Sequence, residues 1–134
     1  MKRYISDTQC LLWYLADDRR LPRAARTIFT KAEAGQAQIL VPSITLVEAT
    51  YLLQRQRVNQ EIMDRLLSLT ENHNSSIYVI PLDLRVAKAV GDFGPAVVTD
   101  LPDRVIAATA RVLDLPLLTT DASIADSGLV KVIA

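Results

Sequence analysis

The sequence predicts an α/β fold, a central, mainly parallel sheet flanked by helices on both faces. Three observations carry this. Short, continuously apolar runs such as Ile39-Leu40-Val41 and Ile77-Tyr78-Val79-Ile80 read as strands buried on both faces. Segments with helical periodicity separate them, and that alternation implies parallel strands joined by helical crossovers. The chain has 134 residues, which fits a single domain over 1–134, and 50% of it is apolar.

Taken in order, Arg3-Tyr4-Ile5-Ser6 is the first strand, and Asp7-Thr8 opens a helix through Leu11, Leu12, Trp13 and Leu15. Asp17 to Leu21 is a charged turn. Pro22 starts a second helix carrying Ala24, Ala25, Ile28 and Phe29, closed near Gly35. Gln38 to Val41 is the second strand, ended by Pro42. Ser43 is placed to cap a third helix reaching about Gln54, whose apolar residues run nearly all round: Ile44, Leu46, Val47, Tyr51, Leu52 and Leu53. Such a helix is buried on most faces, by the core and by a partner chain. Asn59 caps a fourth helix with Ile62, Met63, Leu66, Leu67 and Leu69. Ile77 to Ile80 is the third strand, Leu82 to Val90 a short helix ended by Gly91, and Asp92 to Val98 a loop. Asp100 caps the next helix, with Pro102 in its first turn, and small residues from Val105 to Leu113 allow close packing. Asp114-Leu115-Pro116 breaks it, Leu117 to Thr119 is the fourth strand, and Gly128 turns the chain into a last strand, Leu129 to Ile133.

Composition narrows the function. Lys plus Arg and Asp plus Glu each number 15, a zero net charge that argues against a broad basic duplex-binding footprint. One Cys and one His leave no disulfide framework, no Cys metal cluster and no Ser-His or Cys-His catalytic system. Cys10 reads as a small buried residue, and His73, at a helix end, as solvated. The lone Cys suits a reducing cytosol, and no stretch is long enough to span a membrane. Arg19, Arg20, Arg23 and Arg26 form a cluster that reads as a solvated face or a set of phosphate contacts.

Four acids stand out because each falls at the predicted carboxyl-end edge of the sheet, where open α/β sheets bind ligands: Asp7, Glu48, Asp103 and Asp121. Each has a simpler account alone. Asp7 is a helix cap, Asp103 complements a helix dipole, Asp121 is a turn residue and Glu48 a surface acid. Together they make one acidic site. Gathered carboxylates repel, and a hard divalent cation with oxygen ligands reverses that penalty. Asp100 is the nearest rival to Asp103, although capping accounts for it.

Asp7-Thr8 after the first strand, Val41-Pro42-Ser43-Ile44-Thr45 with Glu48, Asp100-Leu101-Pro102-Asp103-Arg104-Val105-Ile106-Ala107-Ala108-Thr109-Ala110, and Leu115-Pro116-Leu117-Leu118-Thr119-Thr120-Asp121 together resemble the PIN-domain family, in particular its VapC-type toxins. The resemblance covers essentially the whole chain. It implies a five-stranded parallel sheet and a Mg²⁺- or Mn²⁺-dependent endoribonuclease, the cytoplasmic toxin of a toxin–antitoxin pair. Asp7, Glu48, Asp103 and Asp121 are then the acidic site, with Asp7, Asp103 and Asp121 on the metal and Glu48 serving the attacking water. Thr8 and Thr120 fall near the metal or its waters. A small antitoxin is the implied partner, RNA the substrate, and a homodimer through the third and fourth helices the implied assembly. Where many members carry Asn and Lys, this chain carries Gln9 and Thr120; neither replaces an acid. Two rivals are a PIN-like module that docks a protein without catalysis, and a phosphoacceptor receiver domain. The second is disfavoured because Asp7 has no acidic neighbour and the late Lys131 falls inside the last strand.

Overall fold

The computed structural model describes residues 1–72 and 74–134, so the expectation for His73 lies outside the described residues. Among them the chain order is β1 (Arg3–Ser6), α1 (Thr8–Leu15), α2 (Arg23–Glu33), β2 (Gln38–Pro42), α3 (Ile44–Gln54), α4 (Gln60–Glu71) and β3 (Ile77–Ile80). There follow α5 (Leu84–Ala89), a 3-10 turn (Val90–Asp92), α6 (Leu101–Leu113), β4 (Leu117–Leu118), α7 (Ala122–Ser127) and β5 (Val132–Ile133).

The strands lie in the order β3-β2-β1-β4-β5, and every pairing is parallel. This order differs from the 2-1-3-4-5 arrangement of receiver domains, which removes that rival. Successive strand residues point to opposite faces, so each strand feeds two cores. Ile39, Val41, Ile77 and Leu118 pack with Leu11, Phe29, Met63 and Leu66 from α1, α2 and α4. Ile5, Leu40 and Leu117 pack on the other side with Val86, Ile106, Ala107, Ala108 and Ile124 from α5, α6 and α7. Each fully buried Leu or Ile stabilises the fold by about 1.5–3 kcal/mol. The alanines of α6 bring its backbone close to the sheet without a cavity.

The departures from expectation have local causes. Helix α7 was not anticipated: it has six residues and one buried side chain, Ile124, too little for a periodic signal. Ser43 does not cap α3; its own backbone is helical, and its hydroxyl accepts the Leu82 N–H at 3.2 Å. Pro42 closes β2 from inside the ladder, opposite Ile80. The last strand shrinks to Val132–Ile133; Leu129 is drawn off the ladder, its N–H donating to the Ser127 hydroxyl and its carbonyl accepting from Arg111. Helix α3 is not buried all round, since Val47 is 63% and Tyr51 54% exposed. No helix among the described residues is long and apolar enough to cross a membrane.

From β1 the chain steps outward to β2 and β3, then returns past β1 to β4 and β5. The connections therefore diverge between the carboxyl ends of β1 and β4, opening a crevice there. Asp7 N–H donates to Leu118 O at 3.0 Å and holds the two strand ends together at that point.

Candidate active site

The crevice is a cleft of about 330 Å³ that gathers all four expected acids, Asp7, Glu48, Asp103 and Asp121, and adds Asp100, with Thr8, Gln9 and Thr120 on its wall. A larger surface hollow of about 740 Å³ lies along Arg19 to Arg26, but there Arg20 is paired with Asp18 and Arg26 with Asp17. Chemistry, rather than volume, singles out the acidic cleft.

Asp7 follows β1 and caps α1, with Oδ1 accepting the Cys10 N–H at 2.7 Å. Asp7 thus caps α1 and lines the acidic cleft at once. The side chain is 7% exposed. Burial pushes its carboxyl above the ordinary range; the Thr119 hydroxyl and Cys10 N–H pull it back without offsetting that, and the Asp121 charge adds to the rise. Cys10 itself is fully buried, as expected, and burial keeps its thiol protonated.

Asp121 follows β4 and caps α7. Its Oδ1 accepts from the Ser123 N–H at 2.8 Å, the Ser123 hydroxyl at 2.6 Å and the Ile124 N–H at 3.2 Å. Partial burial works to raise its pKa, but these donors outweigh it and hold the carboxyl below its usual value. Ser123, in the first turn of α7, is a contributor the sequence conceals, because a helix that buries only Ile124 leaves no periodic signal.

Asp103 sits in the first turn of α6, whose N-cap is Asp100; Asp100 Oδ1 accepts the Asp103 N–H at 3.0 Å. Burial first, then the charges of Asp100 and Asp121, push Asp103 up to about 7. Asp103 and Asp121 lie close enough for each to bear on the other's protonation. Asp100 is therefore both a cap and part of the acidic field.

Glu48, on α3, is half-buried and faces the cleft beside Thr8 and Leu52. It accepts a hydrogen bond from Thr8. Burial raises its pKa, the Thr8 hydroxyl opposes this, and the charges of Asp100 and Asp7 raise it further. Arg104 makes no ion pair with Asp100 among the described residues, and its Nε is buried without a hydrogen-bond partner there.

The donor set is entirely oxygen and anionic. Among the described residues no three His, Cys, Asp or Glu side chains already stand as a closed coordination set. Asp103 and Asp121 nevertheless present neighbouring carboxylates whose mutual repulsion a hard cation relieves. Mg²⁺ commonly binds through one or two carboxylates and completes its shell with waters and phosphate oxygens. The residues thus fit a divalent cation, with Asp103 and Asp121 as the nucleus of its site.

A sequence search of curated proteins returns no significant match. Solved structures give the fold. VapBC2 from Rickettsia felis, determined with a DNA fragment from its promoter, superposes with a TM-score of 0.69 at 16% identity over 98% of this chain and 97% of that one. VapBC-1 from nontypeable Haemophilus influenzae gives 0.69 at 17% identity over 98% and 96%. VapC20 from Mycobacterium tuberculosis, described as a sarcin-ricin loop cleaving toxin, gives 0.68 at 14% identity over 98% and 99%. The PIN domain family model matches residues 4–128, nearly the whole chain, and together with the parallel sheet and the acids at its switch point this places the chain in the PIN domain family.

Proposed function

We propose that the chain is a divalent-cation-dependent endoribonuclease acting as the toxin of a toxin–antitoxin pair. The observation that carries this is the convergence of five carboxylates on one cleft, with Asp103 near neutrality opposite an ionised Asp121. Membership of the PIN family and the likeness to VapC-containing complexes support the same reading.

Asp7, Asp103 and Asp121 would hold Mg²⁺, with Mn²⁺ as a substitute. The bound cation lowers the pKa of a water and neutralises charge developing on the phosphate. Asp121 is kept ionised by its three donors at Ser123 and Ile124, so it needs no proton loss to act as a ligand. Asp103, pushed up to about 7, would bind the cation as its carboxylate. Glu48, whose pKa burial raises, would accept a proton from the attacking water at the carboxylate oxygen not engaged by Thr8. The narrow cleft and zero net charge favour an RNA strand bound locally over a long duplex. The exposed Val47 and Tyr51 on α3 fit a homodimer through α3 and α4. An antitoxin would cover the cleft in the resting cytoplasmic complex.

The test is cleavage of a mixed RNA pool by purified protein with Mn²⁺ or Mg²⁺. Fragments that vanish with EDTA and in Asp7→Asn and Asp103→Asn are expected. Full cleavage by either folded variant overturns the site assignment. A folded wild-type chain with neither cation affinity nor cleavage is the result expected of a docking module.

A further inference from the structure

We propose that Thr8 and Thr45 are positioning residues for Glu48, two hydroxyls in series that aim its carboxylate into the cleft. This rests on the nuclease reading above and deepens it. Thr8 opens α1, and Glu48 lies on α3, 40 residues later. Thr8 Oγ1 lies within hydrogen-bonding distance of Glu48 Oε1 and 3.1 Å from Thr45 Oγ1. A hydroxyl has one proton, and an ionised carboxylate can only accept. The Thr8 proton therefore goes to Glu48, and Thr45 donates to Thr8. Thr45 is 0% and Thr8 6% exposed, so water has little room to replace either contact.

The arrangement is not the default for helical threonines in this chain. Thr27, Thr30, Thr50, Thr70 and Thr109 each donate to the carbonyl four residues back. Thr45, second in α3 and one turn before Glu48 on the same face, has no helical carbonyl four residues back, since Val41 lies in β2, and its hydroxyl reaches across to Thr8. There is a need for such a device. Glu48 has a long side chain on a half-exposed helix, and Asp7 and Asp100 repel it. Left unheld, the carboxylate lowers its energy by swinging outward to solvent. The Thr8 hydroxyl is the fixed donor that opposes this, and Thr45 fixes Thr8. Hydrogen bonds to charged acceptors are roughly twice as strong as neutral ones, which suits that role.

The experiment compares wild type with Thr8→Val, Thr8→Ser, Thr45→Val, Glu48→Gln and the Thr8→Val/Glu48→Gln double variant. Mn²⁺ affinity is read by titration calorimetry, RNA cleavage by kcat and KM, and folding by urea unfolding of the metal-free proteins. Thr8→Val is expected to lower kcat about 10- to 100-fold, part of what a positioned proton acceptor contributes, with Mn²⁺ affinity and KM for RNA little changed. Thr8→Ser retains the hydroxyl and stays near wild type, and Thr45→Val gives a smaller loss in the same direction. In the Glu48→Gln background Thr8→Val lowers the residual kcat little further, because its effect runs through Glu48. Should Thr8→Val not fold, Thr45→Val and Thr8→Ser are judged by the same criteria. A Thr8→Val protein with wild-type kcat overturns the inference, as does a loss of equal size with and without Glu48. If wild type itself neither binds Mn²⁺ nor cleaves, the nuclease reading falls and takes this inference with it. Wild-type activity with an unaffected Thr8→Val removes the inference alone.

Discussion

Replacing Asp103 by Asn should stabilise the metal-free protein by an amount that grows as pH rises from about 4 to about 7 and is constant above. Asparagine copies the protonated carboxyl in shape and keeps a donor facing Asp121. In the folded chain Asp103 is pushed up to about 7, against 3.8 for an unhindered aspartate, by burial first and then by Asp100 and Asp121. A raised carboxyl means the folded state holds the proton more tightly than the unfolded state. Its contribution to stability is complete below pH 3.8 and is lost as pH rises through about 7. Unscreened, that shift corresponds to ~4 kcal/mol. Much of the side chain faces the open cleft, so solvent screening reduces it to about 1–2 kcal/mol. For a chain of this length that is roughly 3–8 °C in Tm. Thermal melts in EDTA from pH 4 to pH 8.5 read it directly. The two proteins should melt together at pH 4, and Asp103→Asn should melt higher at pH 8, where wild type carries the full cost. A difference independent of pH, or a variant less stable at pH 8, would refute the reasoning that like charges crowd this cleft.

Other outcomes follow from the same geometry. Mn²⁺ at 100 times its dissociation constant should stabilise wild type by about 2.7 kcal/mol, and Asp103→Asn should lose most of that rise in Tm at the same concentration. Introducing a charge on the exposed face of α3 by Val47→Asp should shift a dimer to monomer in light scattering, since Val47 is 63% exposed in the single chain. The monomer's own stability should change by no more than about 0.5 kcal/mol, as for other surface substitutions.

Much of this architecture is legible in the sequence because its signals are local. The strands were visible because both their faces are buried, which leaves runs such as Ile39-Leu40-Val41 and Ile77 to Ile80 apolar throughout. Asp7, Asn59 and Asp100 announced helix starts, and all three side chains cap in the structure. Asp121 gave the same signal and was read as a turn, because α7 behind it buries only Ile124. Ser43 shows the reverse error, a capping residue whose hydroxyl is drawn off by the Leu82 N–H from another segment. The four acids were found by their place after strands and in first turns. Their coupling was not legible: Asp100 is both cap and charge, Ser123 holds Asp121, and Thr8 holds Glu48 across 40 residues. Those links depend on which crossovers meet at the β1/β4 switch point, and the order of strands in a sheet is not written in any one segment.

The central claim is that the acidic cleft holds a divalent cation. Anomalous diffraction from crystals grown or soaked with Mn²⁺ tests it most directly. The account predicts an anomalous peak in the cleft between Asp103 and Asp121, within reach of Asp7, that is lost in Asp103→Asn crystals. Well-ordered crystals that show no peak there at millimolar Mn²⁺, or a peak only on the outer surface, would contradict it.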